Sequence, residues 1–286
     1  MAQPTAANDH SFGEATHDGA VQAQSQLGIK LNEVDSLTTP SAQQTALENM
    51  ARVDHLVLMQ GGISAAAISS KFPSTQFVVT DGTLPPRANN HSVIDNWLPV
   101  AYLGGVAAAH ATKSHVISFI GGPPIPPIQQ GLQGFTAGAK SVNPSIKVLS
   151  TYTGSLSDAG KAKTAASAQI DQGSDVIYAD LDNAHIGIVQ AAKESGKNVK
   201  VIGSVAPKCT ISDGLDIGDT LFPQARIVDK LITDYVHTGK LPAVQTFGLA
   251  GGYSLFKLCP GASKSLQAAL ASTSSGLLSG KIKPTG

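Results

Sequence analysis

Few residues in this chain can do chemistry, and none falls into a catalytic spacing. Eight histidines (His10, His17, His55, His91, His110, His115, His185 and His237) form no HExxH or HxxxH pair, so zinc finds no ready ligand set. They read as surface or structural groups, with His10 also weighed as a ligand contact. Gly121-Gly122-Pro123-Pro124 lacks the lysine of a phosphate loop, no GxGxxG follows a strand, and no GxSxG elbow presents a serine. Cys209 and Cys259 form no CxxC pair. Either they are two unpaired thiols or, in an oxidising compartment, they close a long loop as a disulfide. What remains is recognition chemistry: amides, carboxylates and aromatic rings placed just after apolar runs.

Those apolar runs alternate with helical stretches. Strands are expected at 56–59, 76–80, 116–120, 146–152, 175–179 and 199–203, and helices at 65–71, 101–112, 128–141, 161–172 and 185–195. Short buried strands alternating with helices argue for parallel sheets covered on both faces. The pattern runs twice, breaking near Thr112 to Ser114, which predicts an α/β fold of two doubly wound lobes. Ligands of such sheets sit at the carboxyl ends of strands. The positions to watch are Gln60 and Gly61, Asp81 and Gly82, Gly121 and Gly122, Asp180 to Asn183, and Ser204 to Lys208. The run Ile128 to Pro144 follows a strand and a turn, and its Gly131, Gly134 and Gly138 allow close packing on a sheet.

Bulk properties exclude several classes. Charged residues make up 14% of 286, and twenty basic residues balance twenty acidic ones. No basic cluster marks a nucleic-acid footprint. No apolar segment approaches the ~20 residues needed to span a bilayer. Met1 to Ala7 lacks the basic start and apolar core of a signal peptide.

Ordered along nearly the whole chain is a series of motifs that resembles the basic membrane protein family, the nucleoside-binding receptors of bacterial ABC importers. Asn8-Asp9-His10-Ser11-Phe12-Gly13 with Asp18-Gly19 is similar to its DxSFN signature. Lys71-Phe72-Pro73 and Gln76 to Gly82 resemble its KYPDxKFxxxDG segment, and Ala101 to Ala108 its SYLAGVLAA. The run 128–144, Asp171 to Tyr178, Val201-Ile202-Gly203 and Phe247-Gly248-Leu249 follow in family order.

The resemblance implies a type I periplasmic binding fold, two lobes joined by a hinge. The N-terminal lobe is expected over 1–112, joined by part of 247–286, and the C-terminal lobe over 113–246. It implies a non-enzymatic receptor that closes on a purine nucleoside or related nucleobase in the interlobe cleft, with no cofactor, metal or catalytic residue. Its partners would be that small molecule and an ABC permease, in the periplasm or at the cell surface, with membrane contact only through the permease or a lost lipid anchor. The alternative is a ligand-sensing regulator of the same fold. Since the family opens on a strand, Met1 to Ala7 looks too short and polar, and a truncated N-terminus that has lost an export signal is the expectation.

Mapped residue by residue, the family pocket implies Phe12 and Tyr178 as aromatic walls and Asp81 as a base-reading carboxylate, with Asn8 and Asp9 beside Phe12. Gln60, Trp97, Asp180 and Lys208 complete the candidate set. For each a structural role stands beside the ligand role: Phe12, Tyr178 and Trp97 as packing, Asp81 as a turn residue, Asp182 or Asn183 as caps of the helix from His185, Lys208 as a solvated loop residue. One departure matters. Where nucleoside binders carry an aspartate pair for the ribose, this chain has Val205-Ala206-Pro207-Lys208; the family lysine is missing near Asp219 to Phe222, and Ala250-Gly251 replaces Lys-Asp. Each ribose hydrogen bond to a charged group is worth roughly 1.5–3 kcal/mol. Either the ligand lacks a ribose, or Asp180, Asp182, Asn183 and Lys208 supply new partners.

Overall fold

The structure, a computed structural model, describes residues 1–9 and 11–285. His10 therefore lies outside the described residues. In chain order the elements are α1 (Phe12–Leu27), α2 (Pro40–Ala51), β1 (Leu56–Gln60), β2 (Gln76–Thr80), β3 (Asn90–Asp95), α3 (Leu98–Ala111), β4 (Val116–Gly121), α4 (Pro126–Val142), β5 (Lys147–Tyr152), α5 (Ala159–Asp171), β6 (Val176–Asp180), α6 (His185–Glu194), β7 (Lys200–Val205), β8 (Asp216–Leu221), α7 (Gln224–Thr238), β9 (Val244–Phe247), β10 (Leu255–Leu258) and α8 (Lys264–Leu278). Two compact units result: 1–95 with 223–247, and 96–222 with 248–285.

The first unit holds a parallel sheet in the order β1-β2-β3-β9. Beyond β1 the chain start completes it. Ala2 bridges both Met59 and Val34 in parallel, donating to Leu58 and accepting from Gln60, while Gln3 donates to Val34 and Val34 to Met1. Met1, Ala2 and Gln3 are buried there. The strand position for which Met1 to Ala7 looked too short and polar is thus met by three residues, because backbone pairing needs no particular side chain. Polar residues also build β3. Asn90 donates to Pro85 O at 2.9 Å, the His91 ring meets Gln76 Oε1 and Pro242 O, and Ser92 Oγ accepts from Leu84 N–H. The helix expected over 65–71 is reduced to one 3-10 turn, Ser69–Lys71. Its bonds are mostly i to i+3, which suits a short segment that cannot repay helix nucleation.

The second unit holds a six-stranded sheet, β10-β8-β7-β6-β4-β5, parallel except for β10, which pairs antiparallel with β8. The order reverses at β4, where β5 lies to one side and β6 to the other; this is a switch point of the doubly wound kind. Phe119, Phe135 and Tyr178 fill the core, with Tyr178 centred 5.4 Å from Phe119 and 5.2 Å from Phe135.

Both unit boundaries differ from the sequence expectation. Helix α3 packs against α4, because glycines let the backbones meet. A Cβ at Gly105 would lie 2.0 Å from Phe135 O, and one at Gly138 2.0 Å from Tyr102 O. Of the glycines in the 128–144 run, Gly134 and Gly138 thus face a helix, and only Gly131 faces the sheet, toward Phe119. The tail also joins the second unit, since Leu266 and Leu270 of α8 enter the α3 core. Conversely, 223–247 returns to the first unit: β9 pairs with β3, and α7 packs so closely on α1 that a Cβ at Gly19 would meet Ala225 O at 2.3 Å. Gly138→Ala should destabilise the fold by about 1–3 kcal/mol through overpacking; a denaturant midpoint equal to wild type would show that the α3–α4 contact yields freely.

Candidate functional site

Parallel strands end on one edge, so the first unit collects Gln60, Asp81 and Asp95 at the carboxyl ends of β1, β2 and β3. Gln60 is buried, and its Oε1 accepts from Thr5 Oγ1 at 2.9 Å. Asp81 follows β2 with φ +52°, a left-handed conformation that carries a cost for a residue with a side chain. Its carbonyl lies against Gly61, where an added Cβ would come within 2.8 Å. Asp95 is 2% exposed, and neither carboxylate oxygen has a hydrogen-bond partner. Burial pushes Asp81 up to about 6. Burial, and secondarily the Asp81 charge, holds Asp95 well above the usual carboxylate range.

The turn before α1 adds the other candidates. Asp9 accepts from the N–H groups of Ser11, Gly13 and Glu14 at 2.9, 3.1 and 3.0 Å, so it caps α1. Asn8 is exposed, and Phe12 is half-buried as the first residue of α1. In the first unit this N-terminal stretch is linked to the sheet edge by the bond from Thr5 to Gln60. Asp95 stands at the same edge, at the end of β3.

The second unit rearranges its share. Tyr178, expected as an aromatic wall, is fully buried in the core, and its hydroxyl lies 2.7 Å from Thr220 Oγ1. An inward-facing position on a central strand leaves no ring face for a ligand. Trp97 is buried as well, its ring centred 4.0 Å from Phe222, with Nε1 unpartnered. Asp180 ends β6 at the switch point, close enough to Gly131 that a Cβ there would meet its Oδ2 at 2.6 Å. The residues before α6 contribute backbone carbonyls: Asp182 O accepts from His185 N–H and Asn183 O from Ile186 N–H.

Lys208 is buried rather than solvated, with its aliphatic stem over Gly203 and its N–H donating to Asp219 Oδ2 at 3.0 Å. Just before it Val205 sits at φ +68°, a strained position for a β-branched residue. The departure from the family thus falls on a turn that is strained at Val205, exposed at Pro207 and buried at Lys208. Asp219 itself is fully buried and pushed up to about 6, mainly by desolvation. His185 is a structural histidine, Nε2 3.3 Å from Asp216 Oδ2 in the interior.

Cys209 and Cys259 form a disulfide with Cα atoms 5.6 Å apart and a sequence separation of 50. By loop-closure entropy such a bond is worth about 4 kcal/mol. Among the described residues one set of metal-capable donors converges, Cys209, Asp219 and Cys259, and the disulfide occupies both sulfurs. Among the described residues no helix is long and apolar enough to cross a membrane.

Against known proteins, residues 1–283 match the family described as ABC transporter substrate-binding protein PnrA-like. The chain belongs to that family. An ABC transporter nucleoside-binding protein, BmpA of Lactococcus lactis subsp. cremoris, is 32% identical over 96% of this chain and 85% of its own length. A purine-binding protein of Brucella abortus is 34% identical over 49% of this chain and 38% of its own. Among solved structures, a solute-binding protein of an Aeropyrum pernix ABC transporter system superposes with TM-score 0.85 at 20% identity, covering 99% of this chain and 91% of that one. A transcriptional activator of the comK gene from Bacillus halodurans gives the same TM-score at 18% identity, covering 99% and 98%. These two likenesses establish the fold, that of type I periplasmic binding proteins; family membership selects the substrate-binding reading over the regulatory one.

A carboxyl raised in the folded state holds a proton that the unfolded chain has released. Its stabilising contribution is complete below the unfolded value of roughly 4 and falls as pH rises through the folded value. For Asp81 and Asp219 that window closes near about 6, and for Asp95 it extends higher. Asp95→Asn should therefore raise the melting temperature at pH 7 and lose that advantage near pH 4. A variant less stable than wild type at pH 7 would contradict the assignment.

Proposed function

We propose that this protein is the solute receptor of an ABC importer and that its ligand is a purine nucleoside or a related nucleobase. The observation that carries the reading is the match of residues 1–283 to the substrate-binding family, joined to 32% identity with a nucleoside-binding relative over nearly the whole chain. The purine-binding relative supports the same ligand class. The first unit suits a flat heterocycle, with the Phe12 ring at the α1 turn and carboxyl groups at the sheet edge to meet base N–H groups. Binding requires no bond to be made or broken, so no catalytic role is assigned to any residue.

The sugar half is different. With Val205-Ala206-Pro207-Lys208 in place of the aspartate pair, and Lys208 drawn into the interior, the ribose loses its family partners. A nucleobase therefore fits the site at least as well as its nucleoside. Asp180 and Lys208 are the residues of the second unit that would take up ribose contacts if a nucleoside is preferred. The working place of such a receptor is outside the cytoplasmic membrane, with the importer's permease as its partner.

Phe12→Ala should weaken purine binding by more than ten-fold, since stacking of a base on an aromatic ring is worth about 1–3 kcal/mol. Calorimetric titration of wild type and variant with adenine, adenosine and ribose reads this directly. Equal affinities would remove Phe12 from the site, and heat with ribose but not with either purine would overturn the ligand class.

A further inference from the structure

Parallel strands need a crossover between them, and in the second unit's sheet those from β4 to β5, β5 to β6 and β6 to β7 each carry a helix, α4, α5 and α6. The crossover from β7 to β8 is the stretch 206–215, which holds turns and no helix. It therefore has no helix face to pack on the sheet, and Pro207, Thr210, Ile211, Asp213 and Gly214 are exposed. Its far half is held to the strands, with Asp216 N–H donating to Ser212 Oγ at 3.4 Å and Val201 N–H to Leu215 O at 3.0 Å. The Lys193–Asp213 ion pair there joins exposed side chains and adds little.

The near half, 206–211, depends on two adjacent residues. Lys208 donates its N–H to Asp219 Oδ2 at 3.0 Å and lays its stem over Gly203, and Cys209 is bonded to Cys259. Ile211 N–H closes a turn onto Lys208 O and makes no tie to a strand by that bond. Cys259 follows β10, and its N–H donates to Ile217 O at 3.1 Å, so the disulfide spans β8 and fastens the end of β10 to the residues leaving β7. The stretch it fastens begins at Val205, whose left-handed φ of +68° costs free energy that the surroundings must offset.

We propose that the Cys209–Cys259 disulfide is a redox-sensitive lock on the β7–β8 connection: with the bond cleaved, residues 206–211 come away from the sheet while β7 and β8 stay paired. The reagent is a dithiol. Its thiolate attacks Sγ of Cys209, which is half-buried, whereas Cys259 is buried. The bond between the two cysteines breaks, a mixed disulfide forms, and Cys259 leaves as a thiolate that takes up a proton. The reagent's second thiol then displaces Cys209 in the same way. Two electrons and two protons have passed to the cysteines, and the reagent ends as its own disulfide. The opening is local, because the strands keep their ladder bonds while the connection loses its covalent tie. The released residues include Ala206, Pro207 and Lys208, so the redox state sets the shape of the stretch in which the family pattern is broken.

The test is hydrogen–deuterium exchange of the full chain, oxidised and after dithiothreitol, with the Cys209→Ser/Cys259→Ser variant alongside and the free thiols titrated. Reduction is expected to speed exchange of the amides in 206–211 at least ten-fold. Strands β6, β7 and β8 should still be protected at labelling times when that segment has fully exchanged. Removing the dithiol and reoxidising should restore the slow pattern, and the double variant should match the reduced protein. Unchanged protection of 206–211 in fully reduced protein overturns the proposal. Simultaneous loss of protection in the segment and the strands also overturns it, since the bond would then hold the unit as a whole. If the double variant does not fold, the reduced wild type decides between these results.

Discussion

A parallel sheet has a polarity that an antiparallel one lacks: every strand enters at one edge and leaves at the other. In the first unit that constraint sends Gln60, Asp81 and Asp95 to a common edge although they are spread over thirty-five positions of sequence. The same edge receives the turn before α1, because Thr5 bonds to Gln60 while Asp9 caps the helix. Nothing in this arrangement depends on a catalytic spacing. These polar groups are gathered by topology, and the side chains between them are free to serve the core.

Burial then gives these groups their character. Carboxyls at a solvated edge would ionise and remain generic acceptors, whereas Asp81 and Asp95 are withdrawn from water beside each other. The second unit treats Asp219 similarly and draws Lys208 inward against it. Its strained Val205 and buried Lys208 occupy the segment in which the family pattern is broken.

Most of the fold was legible because strongly apolar strands alternate with helical segments, as in β4, β6 and β7. Elements with mixed composition were not. β3 reads Asn-His-Ser-Val-Ile-Asp, and Asn90, His91 and Ser92 are buried in it with specific backbone and side-chain partners, a pattern that no apolar run announces. Unit membership was misread because the chain crosses between units after residues 95, 222 and 247, and only long-range packing of α3, α7 and α8 reveals the crossings. Tyr178 was placed at a binding face from the family pattern, yet strand alternation turns its ring toward Phe119 and Phe135. The disulfide was one of two open readings, since a separation of 50 residues carries no signal of proximity.

The most direct measurement is a thermal-shift screen of the protein against nucleosides, free nucleobases and common sugars. A solute bound only by the folded chain raises the melting point by mass action, about 2.7 kcal/mol at a hundred-fold excess over Kd. The account predicts a rise with purine bases or nucleosides and none with sugars alone. A rise confined to sugars would contradict it.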